Sequence, residues 1–175
     1  MTRTLPIAGD DELLTTLLLG RRELEDGRVY LVKERKPKWA LDLFRLYAGK
    51  GRRPLYITRQ HPDHVARQDD LPVRVVWLST TLGKDYMDPH NLNSLTTLIR
   101  SFIDEAGESG SVILLDGLEY LMINNDPARV FKFFDYLEEV VALGRSIFLT
   151  SIDERAFDPK ELALLERNAV VLDPA

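Results

Sequence analysis

The sequence predicts an α/β protein: a three-layer α/β/α sandwich around a mostly parallel sheet of about six strands. Three observations carry this. After Gly27, short apolar runs alternate with longer segments of helical period. One run, Val112–Leu115, is apolar at every position, as in a strand covered on both faces. Asp-Pro pairs at Asp88, Asp126 and Asp158 announce helices, and Gly49, Gly107 and Gly144 close the segments they follow.

Taken in order, Arg28–Val32 reads as the first strand and Pro37 to about Tyr47 as a helix with Ala40, Leu43, Phe44 and Tyr47 on one side. Pro54–Thr58 is the second strand, His61-Pro62 opens a short helical turn, and Val73–Leu78 is the third strand. Leu92, Leu95, Ile99, Phe102 and Ile103 repeat at helical spacing up to Gly107. Ser111–Leu115 is the next strand. Val130, Phe133, Phe134, Leu137 and Val141 then face inward from a helix opened by Asp126-Pro127. Ser146–Thr150, a helix whose Asp158-Pro159 and Glu161 form a capping box, and Ala169–Leu172 complete the series. Each strand–helix–strand unit joins parallel strands by a right-handed crossover. Residues 27–175 thus form one domain, and residues 1–26 an N-terminal extension. Its Leu13, Leu14, Leu17 and Leu18 share one face of a short helix that docks on the domain or contacts a partner, a second copy included.

The chain has 175 residues, 45% of them apolar and 29% charged, which suits one folded domain. A net charge of −5 argues against a surface that coats nucleic acid or anionic membrane. With no cysteine there is no disulfide, thiolate-held metal or thiol chemistry. No apolar run approaches the roughly 20 residues a membrane helix needs, and acids at positions 10–12 do not suit a signal peptide. A cytoplasmic protein is expected.

Val112-Ile113-Leu114-Leu115-Asp116 has the Walker B form, in which a buried strand delivers a carboxylate to the sheet's C-terminal edge. It is equally the form of any buried strand ending in an Asp-Gly turn. Its partner would be the phosphate loop G-x-x-x-x-G-K-[ST], whose backbone amides wrap phosphates at the start of the first helix. Here that place holds Lys33-Glu34-Arg35-Lys36-Pro37-Lys38-Trp39. It has no glycine for positive φ, and Pro37 lacks a donor. No hydroxyl follows Lys38. The four cations read as a solvated loop or a weak anion clamp. Glu119 reads as a solvated helix residue, with a base as the alternative. His61, His64 and His90 have no spacing that fixes a metal site, so no metal and no cofactor is expected.

With these residues in order, the chain resembles the RecA/KaiC-type ATPase core, and specifically the archaeal DUF835 family. The resemblance rests on Val29–Val32, Leu55–Arg59, Val76–Ser79, Leu114–Leu121, Asn124-Asn125 and Ala163–Arg167. It implies archaeal origin and association with sensory and two-component modules. In the ATPase pattern the second strand ends in acids; here it ends in Thr58-Arg59-Gln60, so only Asp116 carries over.

The expected function is therefore a non-catalytic signalling or interaction domain with a protein partner. The alternatives are a domain binding a nucleotide or small anion unconventionally, and an ATPase completed by a partner's residues. Ligand sites of open α/β sheets lie beyond the strands' C-terminal ends, which selects Lys33, Arg35, Arg59, Ser79, Asp116, Glu119 and Ser151. An Arg59–Asp116 ion pair is expected to fill the vacated site.

Overall fold

The computed structural model describes residues 23–68, 73–83 and 85–173. Its elements run β1 (Arg28–Lys33), α1 (Trp39–Gly49), β2 (Arg53–Thr58), α2 (Pro62–Gln68), β3 (Arg74–Leu78), β4 (Tyr86–Met87) and α3 (Leu92–Ala106). They continue with β5 (Ser111–Asp116), α4 (Leu118–Asn124), α5 (Pro127–Leu143), β6 (Ser146–Ile152), α6 (Pro159–Glu166) and β7 (Val170–Leu172). One sheet of seven strands has the order β4-β3-β2-β5-β6-β1-β7, and every pairing is parallel. The expected sandwich is therefore present, with one strand more than anticipated. The extra strand is β4, two residues that pair with Trp77 and Leu78. Two residues carry no readable period, and Asp88-Pro89 beside them looked like helix entry.

Alternation along the strands splits the core into two layers. Leu31, Ile57, Ile113, Leu115 and Phe148 pack under α3, α5 and α6 on one face. Tyr30, Val32, Tyr56, Leu114 and Leu149 pack under α1 and α2 on the other. The central strands β5 and β6 are almost wholly buried, which is why each carries an apolar run, Val112–Leu115 and Ile147–Leu149.

The helix ends follow local chemistry. Asp126 accepts from the Ala128 amide ahead of α5, and Asp158 and Glu161 exchange both capping-box bonds at α6. Asp88 does not cap α3; Asn91 does, through the Ser94 amide. Helix α1 starts at Trp39, two residues later than the position of Pro37 led us to expect.

The Leu-rich segment of the N-terminal extension lies outside the described residues. Its last part is docked: Leu24 is buried beside Tyr47, whose hydroxyl accepts the Leu24 amide at 2.8 Å. Among the described residues no helix is long and apolar enough to cross a membrane.

Candidate functional site: a carboxylate on its own helix

The strand register lines up Val32, Ser151, Asp116 and Thr58 across four neighbouring strands at the sheet's C-terminal edge. All four follow the alternation that carries Tyr30, Leu149, Leu114 and Tyr56 toward α1. The site is therefore the crevice between this row and the first turn of α1.

Glu34 fills that crevice. Its amide extends the ladder by donating to the Ile152 carbonyl at 2.9 Å, which turns its side chain back over the α1 terminus. The carboxylate accepts from the amides of Lys38 at 3.2 Å, Trp39 at 2.8 Å and Ala40 at 3.1 Å. Ser151 Oγ donates to the same carboxylate at 2.8 Å. The N-cap residue, Lys38, makes no side-chain capping bond. Glu34 thus caps the helix from four residues upstream, using amide groups that would face a phosphate in an anion-binding turn. Sequence reasoning missed it. The readable signal was an acid just past a strand, followed by a helix with no Ser, Thr, Asp or Asn at its cap.

Asp116 lies beside this arrangement. Thr58 Oγ1 donates to it at 3.2 Å and the Tyr56 hydroxyl at 3.4 Å. Burial pushes its carboxyl above the usual range; the hydroxyl bonds and nearby Arg59 oppose this, and the negative Glu34 adds to it. Burial likewise pushes Tyr56 upward, so the phenol stays a donor.

A carboxyl whose folded pKa is raised binds its proton more tightly folded than unfolded. Its ionisation costs stability as pH rises from the ordinary carboxylate range through the raised value. Asp116→Asn is therefore expected to raise the melting temperature at neutral pH, by on the order of 1 kcal/mol or a few degrees. A thermal melt checks this, and the gain should vanish in acid. A neutral-pH loss of stability would show that the ionised carboxylate is needed for folding.

The expected Arg59–Asp116 ion pair does not form within 4 Å; Arg59 instead lies over the Tyr120 ring, 4.1 Å from its centroid. Thr58, not Arg59, is in register with Asp116. The period of two therefore sends Arg59 to the opposite face, toward α4. Gly117 permits this crossing: its φ is +144°, and a Cβ there would meet Arg59 Cγ at 3.1 Å and Leu78 Cδ1 at 3.2 Å.

Lys33 also points away from α1. Its ammonium sits 2.6 Å from Glu166 and 3.3 Å from Glu154, with the side chain 17% exposed. It is neither a solvated loop residue nor placed to clamp an anion at the α1 terminus. Glu119 is not a solvated helix residue: it accepts the Asp153 amide at 2.8 Å, and burial raises its carboxyl. Ser79 follows β3, two strands from Asp116, and holds its own turn by accepting the Thr81 amide at 3.0 Å.

Of the candidate residues, only Asp116 and Ser151 share the crevice, where Glu34, Thr58 and Tyr56 join them. Arg35 lines an adjoining hollow of about 340 Å³ together with Trp39 and Arg155 and with the acids Glu34, Asp153, Glu154 and Asp173. The histidines serve local contacts. His61 packs edge-on to Trp77 with ring centroids 4.8 Å apart, and His90 Nδ1 lies 2.8 Å from Asp88.

Fold and site together define a parallel α/β domain whose helix-terminus anion position is occupied by a carboxylate of its own chain. The chain belongs to the DUF835 family, described as proteins of unknown function, which matches residues 33–168. Among solved structures, a protein from Pyrococcus horikoshii OT3 is similar, with a TM-score of 0.61 and 14% identity. The match covers 94% of this chain and 87% of that one. At that identity the likeness shows the fold alone. Comparison with curated proteins gives no match.

Proposed function

We propose that this is a non-catalytic signalling or interaction domain, built on a RecA/KaiC-type scaffold and working in the cytoplasm with a protein partner. One observation carries the reading: the Glu34 carboxylate accepts three α1 amides and the Ser151 hydroxyl. An entering phosphate would have to displace a charge-assisted set of bonds and sit beside Asp116. The turn offers no glycine amide in return, and Pro37 offers no amide at all. Lys36 and Lys38 in the same turn are exposed and make no ion pair among the described residues, and Lys38 lies over the Trp39 ring, 5.9 Å from its centroid. The archaeal, two-component setting belongs to the same proposal.

Calorimetric titration with Mg·ATP is expected to give no saturable binding below about 1 mM, which corresponds to roughly −4 kcal/mol. Phosphate release is expected to stay at the blank. Submillimolar saturation, or release abolished by Asp116→Asn, would contradict the proposal.

The hollow at Arg35, Trp39 and Arg155 favours a second reading, a small-anion site outside the crevice. Trp39 and two guanidinium groups would suit a flat anion, but Glu34, Asp153, Glu154 and Asp173 line the same hollow and oppose one. Arg155 is, however, already paired with Asp153 through both oxygens, which weakens this reading against the first.

A further inference from the structure

We propose that the groove between α3 and α5 docks an acidic, apolar-bearing peptide segment of a partner protein. This rests on the reading of the chain as an interaction domain and names the surface it would use. The groove encloses about 480 Å³ along the first turns of both helices. Leu92 and Phe133, 4% and 5% exposed, form its floor. Arg129 and Lys132 stand on one wall, three residues apart and so on one side of α5. Tyr136, 38% exposed, continues that wall, and its hydroxyl accepts from Arg100 at 3.3 Å, which brings a third cation to the rim.

Charge selects the occupant. The chain carries 28 acids against 23 Lys and Arg, yet no acid lines this groove. Neither Arg129 nor Lys132 has a carboxylate partner within 4 Å among the described residues. Two unpaired cations over an apolar floor, on a protein of net charge −5, complement an acidic segment that also offers a hydrophobic side chain. A nucleic acid fits less well. Phosphodiesters bring nothing to fill the Leu92–Phe133 floor. Thr96 and Thr97 on the facing helix donate their hydroxyls to the Leu92 and Asn93 carbonyls one turn earlier, so the cations are the groove's strong donors.

The test uses the full chain and a fluorescein-labelled dodecapeptide alternating Glu with Leu and Phe, read by fluorescence anisotropy. The same peptide with Lys for Glu and a single-stranded DNA dodecamer are the comparisons. Saturable binding of the acidic peptide is expected, weakening as salt rises from about 50 to about 200 mM. Arg129→Glu with Lys132→Glu should weaken it by about tenfold or more, while the thermal melt stays within about a degree because both residues are exposed. Equal binding by the reversed-charge variant, equal binding of the Lys peptide, displacement by DNA at matching concentration, or no acidic-peptide binding would each overturn the docking surface. Mg·ATP titration of the same samples keeps the two ideas apart. Saturable ATP binding contradicts the interaction-domain reading whatever the peptide does. A silent ATP titration beside a failed peptide titration removes only this surface.

Discussion

Glu34→Ala is expected to lower the unfolding free energy by about 2–3 kcal/mol, or the melting temperature by roughly 5–10 °C. Losing a helix cap costs about 0.5–2 kcal/mol, and a hydrogen bond to a charged group is worth about 1.5–3 kcal/mol. Glu34 provides three capping bonds and one to Ser151. The sum is discounted because the Lys38 and Trp39 region is partly exposed, so water rehydrates some amides. Glu34→Gln keeps one acceptor oxygen and should lose about half as much.

The variant should also acquire something the parent lacks. With the carboxylate gone, inorganic phosphate can approach the Trp39 and Ala40 amides and should stabilise Glu34→Ala in proportion to its concentration, leaving the parent unaffected. Differential scanning fluorimetry across phosphate concentrations reads both effects. An alanine variant that melts with the parent would mean that the capping bonds contribute nothing in solution.

Lys33→Met is the second large effect, a loss of about 1–2 kcal/mol with the aliphatic stem preserved. The substitution strands Glu166, which the ammonium contacts at 2.6 Å, and removes the longer contact to Glu154. The bond to Glu166 raises the Lys33 pKa most, with burial opposing and Glu154 adding. A lysine raised above its unfolded value of 10.5 contributes its full stability below that value and loses it as pH rises through the folded one. The deficit of Lys33→Met should therefore be constant across neutral pH and shrink only in strong alkali. Adding Glu166→Gln should recover part of it, because the stranded charge is gone. Chemical denaturation at several pH values measures both. A deficit that grew with alkalinity would contradict the pairing.

The fold was legible wherever periodicity ran long enough. The three- and four-residue spacing of apolar side chains in α3 and α5 and the apolar runs of β5 and β6 gave their places directly. β4 was not legible, because two residues have no period. The site was half legible. Asp116 and Ser151 could be assigned to one edge from strand ends alone. Which face each neighbour takes depends on register, and register is a property of two strands at once: Thr58 opposite Asp116 puts Arg59 on the far side. The same alternation took Lys33 from α1 to Glu166. Glu34 escaped because capping was sought at the cap position, whereas the carboxylate arrives from the end of β1.

The most direct test is a crystal structure grown in saturating Mg·ATP. The Glu34 carboxylate should remain on the Trp39 and Ala40 amides, with no phosphorus atom in the crevice. A phosphate seated on those amides, with Glu34 swung away and metal bound at Asp116, would contradict the account.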